Sequence, residues 1–420
     1  MEVDILNIPK LRFKDNNGND YPQWNHSSFY NTFNFLSTNN YSRNDMNSIN
    51  GNIRNIHYGD ILTKFNYIIN TEKDILPYLN DNIIIKNLPN YIIQSGDIVI
   101  ADTAEDYTTG KTCEIINSNN QLVVAGLHTM LCRPKQNIFA LGFLGYFMNS
   151  NIYHNQLLPL ITGIKVYSII KKEIIKTKIS IPFIEEQKKI AKFLTTVDKK
   201  IENLENTITS LENQKKGLLQ QIFSQKLRFK DKNGNNYPNW EKKKLGDITT
   251  SYSGGTPSVN VKDYYNGSIP FIKSGEIHNS FTETFITETG LNSSSAKLVK
   301  KGDLLFALYG ATSGDTSISK INGAINQAIL CVRSTTLNLH YLYQLLNFYR
   351  NKLLSIYLQG GQGNFSATIF KNLIFNFPCL EEQTKIADFL SAFDRKLDNQ
   401  KAQLEHWQQI KKGLLQQMFV

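Results

Sequence analysis

Polar, glycine-rich loops in the second half of the chain carry the residues best suited to binding chemistry. They read SGGTPS at residues 253–258, YGATSG at 309–314 and GGQGN at 360–364. Such loops are expected to expose backbone N–H groups and hydroxyls, which suit contacts to phosphates or base edges. Glycine-rich loops are often plain turns, so both interpretations stay open. The candidate contacts are Gly254, Gly255, Thr256, Pro257, Ser258, Lys273, Tyr309, Gly310, Ala311, Thr312, Gln327, Gln362 and Asn364.

Two of these side chains suit a more specific contact. Gln362 and Asn364 carry amides, which can pair with an adenine edge in a major groove. The first half of the chain has residues in comparable places, although it lacks the same glycine-rich strings. They are Thr108, Thr109, Lys111, His128 and Lys165, and His128 could equally be a core histidine with satisfied hydrogen bonds.

Motifs of common enzymes are missing from the sequence. It contains no GxxxxGK[ST] phosphate loop, no HExxH, no GxSxG and no paired Cys/His ligand set. The carboxylates Asp102, Glu105 and Asp106 could form a metal site, but a solvated loop is favoured. The four cysteines lie far apart without a CxxC pair, which argues against a structural zinc or a disulfide framework. We therefore expect a non-catalytic protein without its own cofactor, in a reducing cytoplasm.

Composition sets broader limits. The chain has 420 residues, enough for two or three domains, and a net charge of +10, which favours a polyanionic partner. The chain is also rich in Asn, Ile and Lys, so a general compositional bias weakens that signal. The start does not resemble a signal peptide, and the most apolar segment, residues 138–148, is too short to span a bilayer. We expect no membrane association and interpret that segment as a buried helix.

Two long helices must position these loops. Residues 185–223 and 381–419 carry apolar residues at alternating steps of three and four, the a/d spacing of a coiled coil. Both place a lysine, Lys215 or Lys411, at the same seam position and continue into the string KKGLLQQ. Helices that pack separately, each on its own domain, would not need this match. We therefore predict one coiled coil within the chain, while the periodicity leaves parallel and antiparallel pairing open.

A second repeat divides the chain. LRFKDNNGNDYPQW at residues 11–24 returns as LRFKDKNGNNYPNW at residues 227–240, each with an Asn-Gly tight-turn signal. The chain therefore consists of a marker, a variable block and a long helix, followed by a second copy of the same three parts. This arrangement is a pseudo-twofold internal repeat. Because residues 224–226 lead from the first helix directly into the second marker, we expect the N-terminal marker to lie beside the end of the second helix.

The two variable blocks, residues 25–180 and 241–376, have the pattern of a mixed α/β fold. In the second block, residues 269–272, 303–308 and 325–332 are predicted strands and residues 339–358 a helix. In the first block, residues 96–101 match 302–307, and residues 123–133 match 327–333. We expect the two blocks to share a fold while sharing few side chains.

These motifs together resemble the specificity (S) subunits of type I restriction-modification systems. The likeness covers nearly the whole chain and rests on the two PxxEEQxxIAxFL helix entries, the KKGLLQQ helix ends, the paired markers, and the strings GGTPS, GDLLFALYGATSGD and AINQAI. It implies two target-recognition domains, residues 1–184 and 224–380, separated by an antiparallel coiled coil of residues 185–223 and 381–420. Each domain would read half of a bipartite DNA site, and the coiled coil would set the spacing between the two halves. The first block departs from the pattern, with Ala101-Asp102-Thr103-Ala104 where the second has Tyr309-Gly310.

The resemblance also implies partners. Two modification subunits with S-adenosylmethionine chemistry would dock on the chain, and restriction subunits that use ATP and Mg²⁺ would join them. The candidate docking residues are Lys215, Lys216, Gln220, Gln221, Lys411, Lys412, Gln416 and Gln417, which could equally be solvated helix surface. Another class of function stays open, a scaffold whose two modules bind proteins or glycans and not DNA. An enzyme that acts on DNA alone is disfavoured by the missing motifs.

Overall fold

The computed structural model describes residues 8–118, 121–357 and 365–420. The chain divides into two compact units. Unit 1 comprises Met1–Glu205 together with Ala402–Val420, and unit 2 comprises Asn206–Lys401. Each unit therefore contains a globular α/β part and a portion of both long helices.

The strands of unit 1 are mostly short. They are β1 (Asn25–Ser28), β2 (Phe33–Leu36), β3 (Met46–Asn47), β4 (Arg54–Ile56), β5 (Ile68–Asn70), β6 (Tyr78–Leu79), β7 (Ile98–Ala101), β8 (Thr103–Ala104), β9 (Thr112–Ile116), β10 (Val123–Ala125), β11 (Thr129–Pro134), β12 (Tyr167–Ser168) and β13 (Lys178–Ile181). Those of unit 2 are β14 (Glu241–Lys244), β15 (Thr250–Ser253), β16 (Tyr265–Ile272), β17 (Phe285–Ile286), β18 (Lys297–Val299), β19 (Leu304–Ala307), β20 (Thr316–Ile318), β21 (Gly323–Ile325), β22 (Ile329–Arg333) and β23 (Ile374–Phe377).

The helices range from a single turn to rods of about forty residues. They are α1 (Phe29–Thr32), α2 (Tyr58–Thr63), α3 (Phe143–Met148), α4 (Asn151–Leu157), α5 (Lys171–Ile174), α6 (Ile184–Phe223), α7 (Leu245–Ile248), α8 (Glu288–Asn292), α9 (Leu339–Tyr357), α10 (Ala367–Asn372) and α11 (Leu380–Gln417).

The sheets of the two units follow one plan. In unit 1 a sheet of order β2-β11-β7-β9-β5 is accompanied by a sheet of order β10-β4-β6-β3. In unit 2 the corresponding orders are β15-β22-β19-β20 and β17-β16-β21-β18. β7 pairs with β11 in the register in which β19 pairs with β22, so that Ala101 opposite Thr129 corresponds to Ala307 opposite Ile329. The predicted mixed α/β class and the predicted match between the blocks are confirmed.

Two predictions of local structure are wrong. The run 325–332 is not one strand, because β21 ends at Ile325 and β22 begins at Ile329. Asn326 forms the turn between them, its side-chain oxygen accepting the N–H of Ala328 at 3.2 Å, a local bond that competes with a continuous strand. In unit 1 the predicted helix at residues 138–148 is shorter, because Gly142 has a φ of +88° and α3 begins only at Phe143.

The long helices pair antiparallel in each unit. In unit 1 Lys411 of α11 contacts Asp198 of α6, and farther along the chain Met418 shares a core with Ile190 of α6. In unit 2 Lys215 of α6 contacts Asp394 of α11, and Lys401 contacts Glu212. In these contacts the residue numbers increase along α11 as those of their partners decrease along α6. The pairing is therefore antiparallel, which the heptad periodicity alone did not determine. Seam residues such as Ile190, Leu194 and Leu390 are buried.

A repeated set of polar contacts fastens each marker to the start of a long helix. Arg12 donates to both carboxylate oxygens of the buried Glu186, and Trp24 Nε1 donates to the same group at 3.2 Å. Arg228, Trp240 and Glu382 repeat this arrangement in unit 2.

The start of each marker also binds the end of a long helix. The N–H of Leu11 donates to the carbonyl of Gln417, and that of Leu227 donates to Gln221, each at 3.0 Å. The predicted closeness of the N-terminal marker to the end of the second helix is confirmed.

Candidate nucleic-acid interface

In unit 2 the candidate surface is centred on the turn between β21 and β22. Gln327 lies exposed on this turn. The hydroxyl of Thr256, also exposed, donates to Gln327 Oε1 at 2.6 Å. The structure therefore joins two residues that are 71 positions apart in the sequence. One acceptor site of the Gln327 oxygen is thereby used, and the residue as a whole is exposed.

The glycines of the SGGTPS loop have a packing role, which corrects the expectation that they expose their N–H groups. Gly254 and Gly255 are buried. A Cβ at Gly254 would lie 1.8 Å from the Ile325 carbonyl oxygen, and the N–H of Gly255 donates to that oxygen at 3.3 Å. Pro257 is also buried, so the exposed side chains of this loop are those of Ser253, Thr256 and Ser258.

The YGATSG loop lies beside the same turn. The N–H of Leu308 donates to the carbonyl of Ala328 at 2.8 Å, which brings the loop next to Gln327. Gly310 and Ala311 are exposed, Tyr309 and Thr312 are half-buried, and Gly310 has a φ of +86°. This positive φ explains glycine here, since other residues adopt it at a cost.

The remaining unit 2 candidates divide into one described residue and two that are not described. Lys273 is exposed and follows β16, which pairs in parallel with β21. Gln362 and Asn364 lie outside the described residues. Phe365, the first described residue after them, donates its N–H to the Leu308 carbonyl at 2.7 Å.

In unit 1 the structure brings Thr108, His128 and Lys165 to one group of loops. The loop that carries Lys165 leads into β12, which pairs with β8 directly after Asp102. The rings of Tyr107 and Tyr167 lie 4.7 Å apart and join the two loops. Thr108 and Lys165 are exposed, and Lys165 stands between two exposed apolar side chains, Ile164 and Val166.

His128 is exposed, so the interpretation as a core histidine is wrong. It lies on the turn between β10 and β11 with a φ of +54°. Its Nδ1 lies 3.5 Å from Asp102 Oδ1 and 3.3 Å from Thr103 Oγ1. Its ring packs edge-on against Tyr58 at 5.2 Å. The imidazole is thereby held at the surface by its Nδ1 and by its ring contact.

Two unit 1 candidates are structural. Thr109 is buried and its hydroxyl bonds to the carbonyls of Asp106 and Tyr167. Lys111 Nζ donates to the carbonyls of Leu62 and Phe65, and burial lowers its pKa. Both side chains are engaged by the protein's own backbone, so neither is free to contact a ligand.

The loop around Thr108 is acidic. Thr108 donates to Asp106 through its hydroxyl and its N–H, and these bonds lower the pKa of Asp106, so that carboxyl is ionised at neutral pH. Glu105 is exposed next to it. In the part of the chain that the structure describes, no group of His, Cys, Asp and Glu could hold a metal ion.

The candidate docking residues on the helices fall into two sets. Lys215 and Lys411 are largely buried in ion pairs with Asp394 and Asp198, with side chains 18% and 14% exposed. They are therefore part of the helix pairing, which corrects their assignment to a docking surface. The others are exposed. They are Lys216, Gln220, Gln221, Lys412, Gln416 and Gln417.

Comparison with known proteins identifies the family. The family model "Type I restriction modification DNA specificity domain" matches residues 4–213 and again residues 237–406. The two matches together cover most of the chain. The chain belongs to this family.

Members of the specificity family with curated names match it along different lengths. The putative type I restriction enzyme MjaX specificity subunit of Methanocaldococcus jannaschii is 25% identical over 373 residues, 84% of this chain and 85% of that protein. The MjaIX specificity subunit of the same organism is 30% identical over 211 residues, 47% of this chain. In that alignment the chain spans 48% of the relative.

A solved member supports the fold. The crystal structure of a type I restriction-modification system S subunit from M. genitalium matches with a TM-score of 0.63 at 14% identity, over 98% of this chain and 99% of that one. At this identity the match speaks for the fold alone. None of the described helices has both the length and the apolar character of a membrane span.

Sequence reasoning missed the aspartates of the helix pairs in this member of the specificity family. Asp198 and Asp394 recur at the same offset as Lys215 and Lys411. That recurrence was the available signal, but only antiparallel pairing makes each aspartate a partner of a lysine on the other helix.

Proposed function

We propose that this chain is the DNA specificity subunit of a type I restriction-modification complex, and that each unit reads one half of a bipartite DNA sequence. The observation that carries the proposal is the double match to the specificity family on a framework whose two copies bear different surface loops. Because the loops differ, the two half-sites should be unrelated in sequence.

Gln327 is the residue of unit 2 best placed for direct base readout. A glutamine contacts adenine by accepting from N6 with its oxygen and donating to N7 with its nitrogen. Thr256 holds the Gln327 oxygen at 2.6 Å and leaves its second lone pair and the NH₂ group for the base. Lys273 and Ser258 suit contacts to the phosphate backbone.

His128, Thr108 and Lys165 are the corresponding candidates in unit 1. Lys165 supplies a positive charge at an exposed loop, and His128 supplies one ring nitrogen. The ionised Asp106 beside Thr108 would repel phosphates, and a carboxylate can instead accept from a cytosine amino group. Base contacts should therefore outweigh phosphate contacts on this loop.

The exposed residues of the two KKGLLQQ strings support docking of two copies of one partner. Lys216, Gln220 and Gln221 recur as Lys412, Gln416 and Gln417 although they lie on the surface, where folding does not require identity. Two equal surfaces fit two modification subunits.

Catalysis would belong to those partners. They would supply S-adenosylmethionine, while restriction subunits would supply ATP and Mg²⁺ chemistry. Methylation of a base requires that it be flipped into a partner's pocket, so this chain needs no catalytic residue of its own.

The test is a map of methylated positions in DNA from cells that carry this chain with its modification subunit. We expect a bipartite sequence with a spacer of fixed length. Exchanging residues 25–180 for the equivalent block of another family member should change one half of the site only. Absence of any bipartite methylation, or a change in both halves, would contradict the proposal.

A further inference from the structure

Each unit contains a three-part polar cluster that ties its globular part to both long helices. In unit 1 Asp198 of α6 accepts from Lys411 of α11 at 2.6 Å and from the hydroxyl of Tyr146 on α3 at 2.8 Å. In unit 2 Asp394 of α11 accepts from Lys215 of α6 and from the side-chain amide of Gln344 on α9 at 2.6 Å. The two clusters use equivalent positions of the helix repeat, but α6 supplies the aspartate in unit 1 and the lysine in unit 2.

The Asp–Lys pairs at the helix seam are expected to contribute little to the free energy of unfolding. An ion pair at a partly buried helix seam gains little over apolar residues, because desolvation offsets the attraction. The best-attested use of a polar residue at a seam is to fix register and orientation. The neighbouring seam positions are apolar and buried, among them Leu211 and Leu397, and apolar contacts select one register less strictly than a paired charge does.

A slip by one heptad shows what the clusters exclude. In one direction Lys215 would face Ala387 and Lys411 would face Ala191, which leaves both lysines unpaired. In the other direction Lys411 would face Glu205, but Lys215 would face Lys401. Either slip therefore loses at least one pair, and the second adds a repulsion between like charges.

We propose that Asp198 and Asp394, with Lys411 and Lys215, are positioning residues that fix the register of the two helices and so set the spacer length of the DNA site. The proposal rests on the proposed function. Tyr146 and Gln344 each bond to the aspartate of the ion pair in their unit. Each globular part is therefore bound directly to the residues that fix the register.

Unit 2 offers a charge-swap test with the whole chain in complex with its modification subunit. Lys215→Asp and Asp394→Lys each place two like charges together, whereas the double variant restores an ion pair. The Gln344 amide can turn its oxygen toward the new lysine, so the swap keeps the third contact. Asp394→Asn, close in volume to the native residue, serves where a reversal prevents folding. Lys396→Asp, on the exposed face of the same helix, is the matched control.

The readout is the distribution of spacer lengths among methylated sites, with thermal unfolding measured in parallel. We expect Lys215→Asp, Asp394→Lys or Asp394→Asn to reduce methylation at the original spacer, relative to sites with altered spacers, by about tenfold or more. That corresponds to about 1.4 kcal/mol of lost preference. The swap and the Lys396→Asp control should keep the original spacer.

Two results would overturn the proposal. One is a folded Asp394→Asn or Lys215→Asp protein that methylates only the original spacer with undiminished preference. The other is a folded swap variant that fails to recover that preference. A wild-type chain that directs no bipartite methylation is a different failure, since it refutes the proposed function itself.

Discussion

Unit 1 and unit 2 hold the same polar framework beneath different surfaces. In both, an arginine and a tryptophan of the marker meet a buried glutamate at the start of a long helix. In both, an Asp–Arg pair joins the start of the central strand to its neighbour, Asp97 with Arg133 and Asp303 with Arg333. The surface loops differ. Unit 1 has the acidic loop around Thr108 and the turn that carries His128, whereas unit 2 has the hydrogen bond from Thr256 to Gln327.

This difference separates residues that build the fold from residues that give specificity. Framework contacts recur because each fulfils the same packing requirement twice, whereas the surface residues are free to differ. Substitutions in the framework should therefore have equal effects in the two units, and substitutions in the loops should affect one half of the DNA site.

Arg12→Ala and Arg228→Ala should each destabilise their own unit by about 3–5 kcal/mol, because the deletion leaves a fully buried carboxylate without its cation. Hydrogen exchange followed by mass spectrometry in increasing urea measures each unit separately. The exposed Lys232→Ala is the control. Clearly unequal losses in the two units would show that the frameworks are not equivalent.

The stability of unit 1 should fall as the pH rises from 4.5 to 7, because unit 1 contains the buried Glu114. Unit 2 should not show this decrease. Burial raises the pKa of Glu114 from 4.5 to about 7, against the opposing bonds from the N–H groups of Gly145 and Gly142. Since the folded state binds the proton more tightly, stability falls as pH rises from 4.5 to 7, by at most about 1.4 kcal/mol per pH unit. Ile318 holds the equivalent position in unit 2.

Glu114→Gln isolates this effect. The amide cannot ionise, so the extra slope of unit 1 between pH 4.5 and 7 should vanish in the same exchange measurement, and unit 2 should be unchanged. Persistence of the slope in the variant would assign it to other groups.

Gln327→Ala should relax recognition of one base pair in the half-site read by unit 2, by about 1–3 kcal/mol. The other half-site should keep its sequence. Competition between methylation substrates that differ at single positions measures this. Thr256→Val removes the hydroxyl that orients Gln327 and should weaken the same position by less. A loss spread over both half-sites would contradict independent readers.

Lys165→Ala should have the smallest effect, a uniform weakening of DNA binding across sequences. If Lys165 contacts a phosphate, the slope of log K against log salt concentration should fall by about one. Binding of the assembled complex to cognate and unrelated duplexes at several salt concentrations checks it. A change confined to one base pair would instead place Lys165 at a base edge.

Much of the architecture could be predicted from sequence. The a/d spacing of the long helices, the identical KKGLLQQ strings and the paired markers are local patterns, and the structure follows them. The strands β7 and β19 were predicted from their apolar runs, and the structure buries both runs completely. The turn at Asn326 and Gln327 was not, because Ile325 before it and residues 328–332 after it are apolar, as they would be in one continuous strand.

The candidate site was less predictable. Gly254 and Gly310 are both glycines in similar glycine-rich strings. Gly254 nevertheless packs against Ile325, whereas Gly310 lies exposed in a loop. Lys215 and Lys216 are adjacent, but only the first reaches an aspartate of the other helix. Exposure depends on which distant segment approaches, and sequence spacing does not contain that information.

The doubled arrangement of this protein and its two long helices are readable in the chain, because period and repetition lie within short stretches of residues. The antiparallel pairing, the burial of the seam lysines and the hydrogen bond from Thr256 to Gln327 emerge only in the folded molecule. These depend on contacts between residues far apart in the chain, whose energies exist only once the segments have packed together.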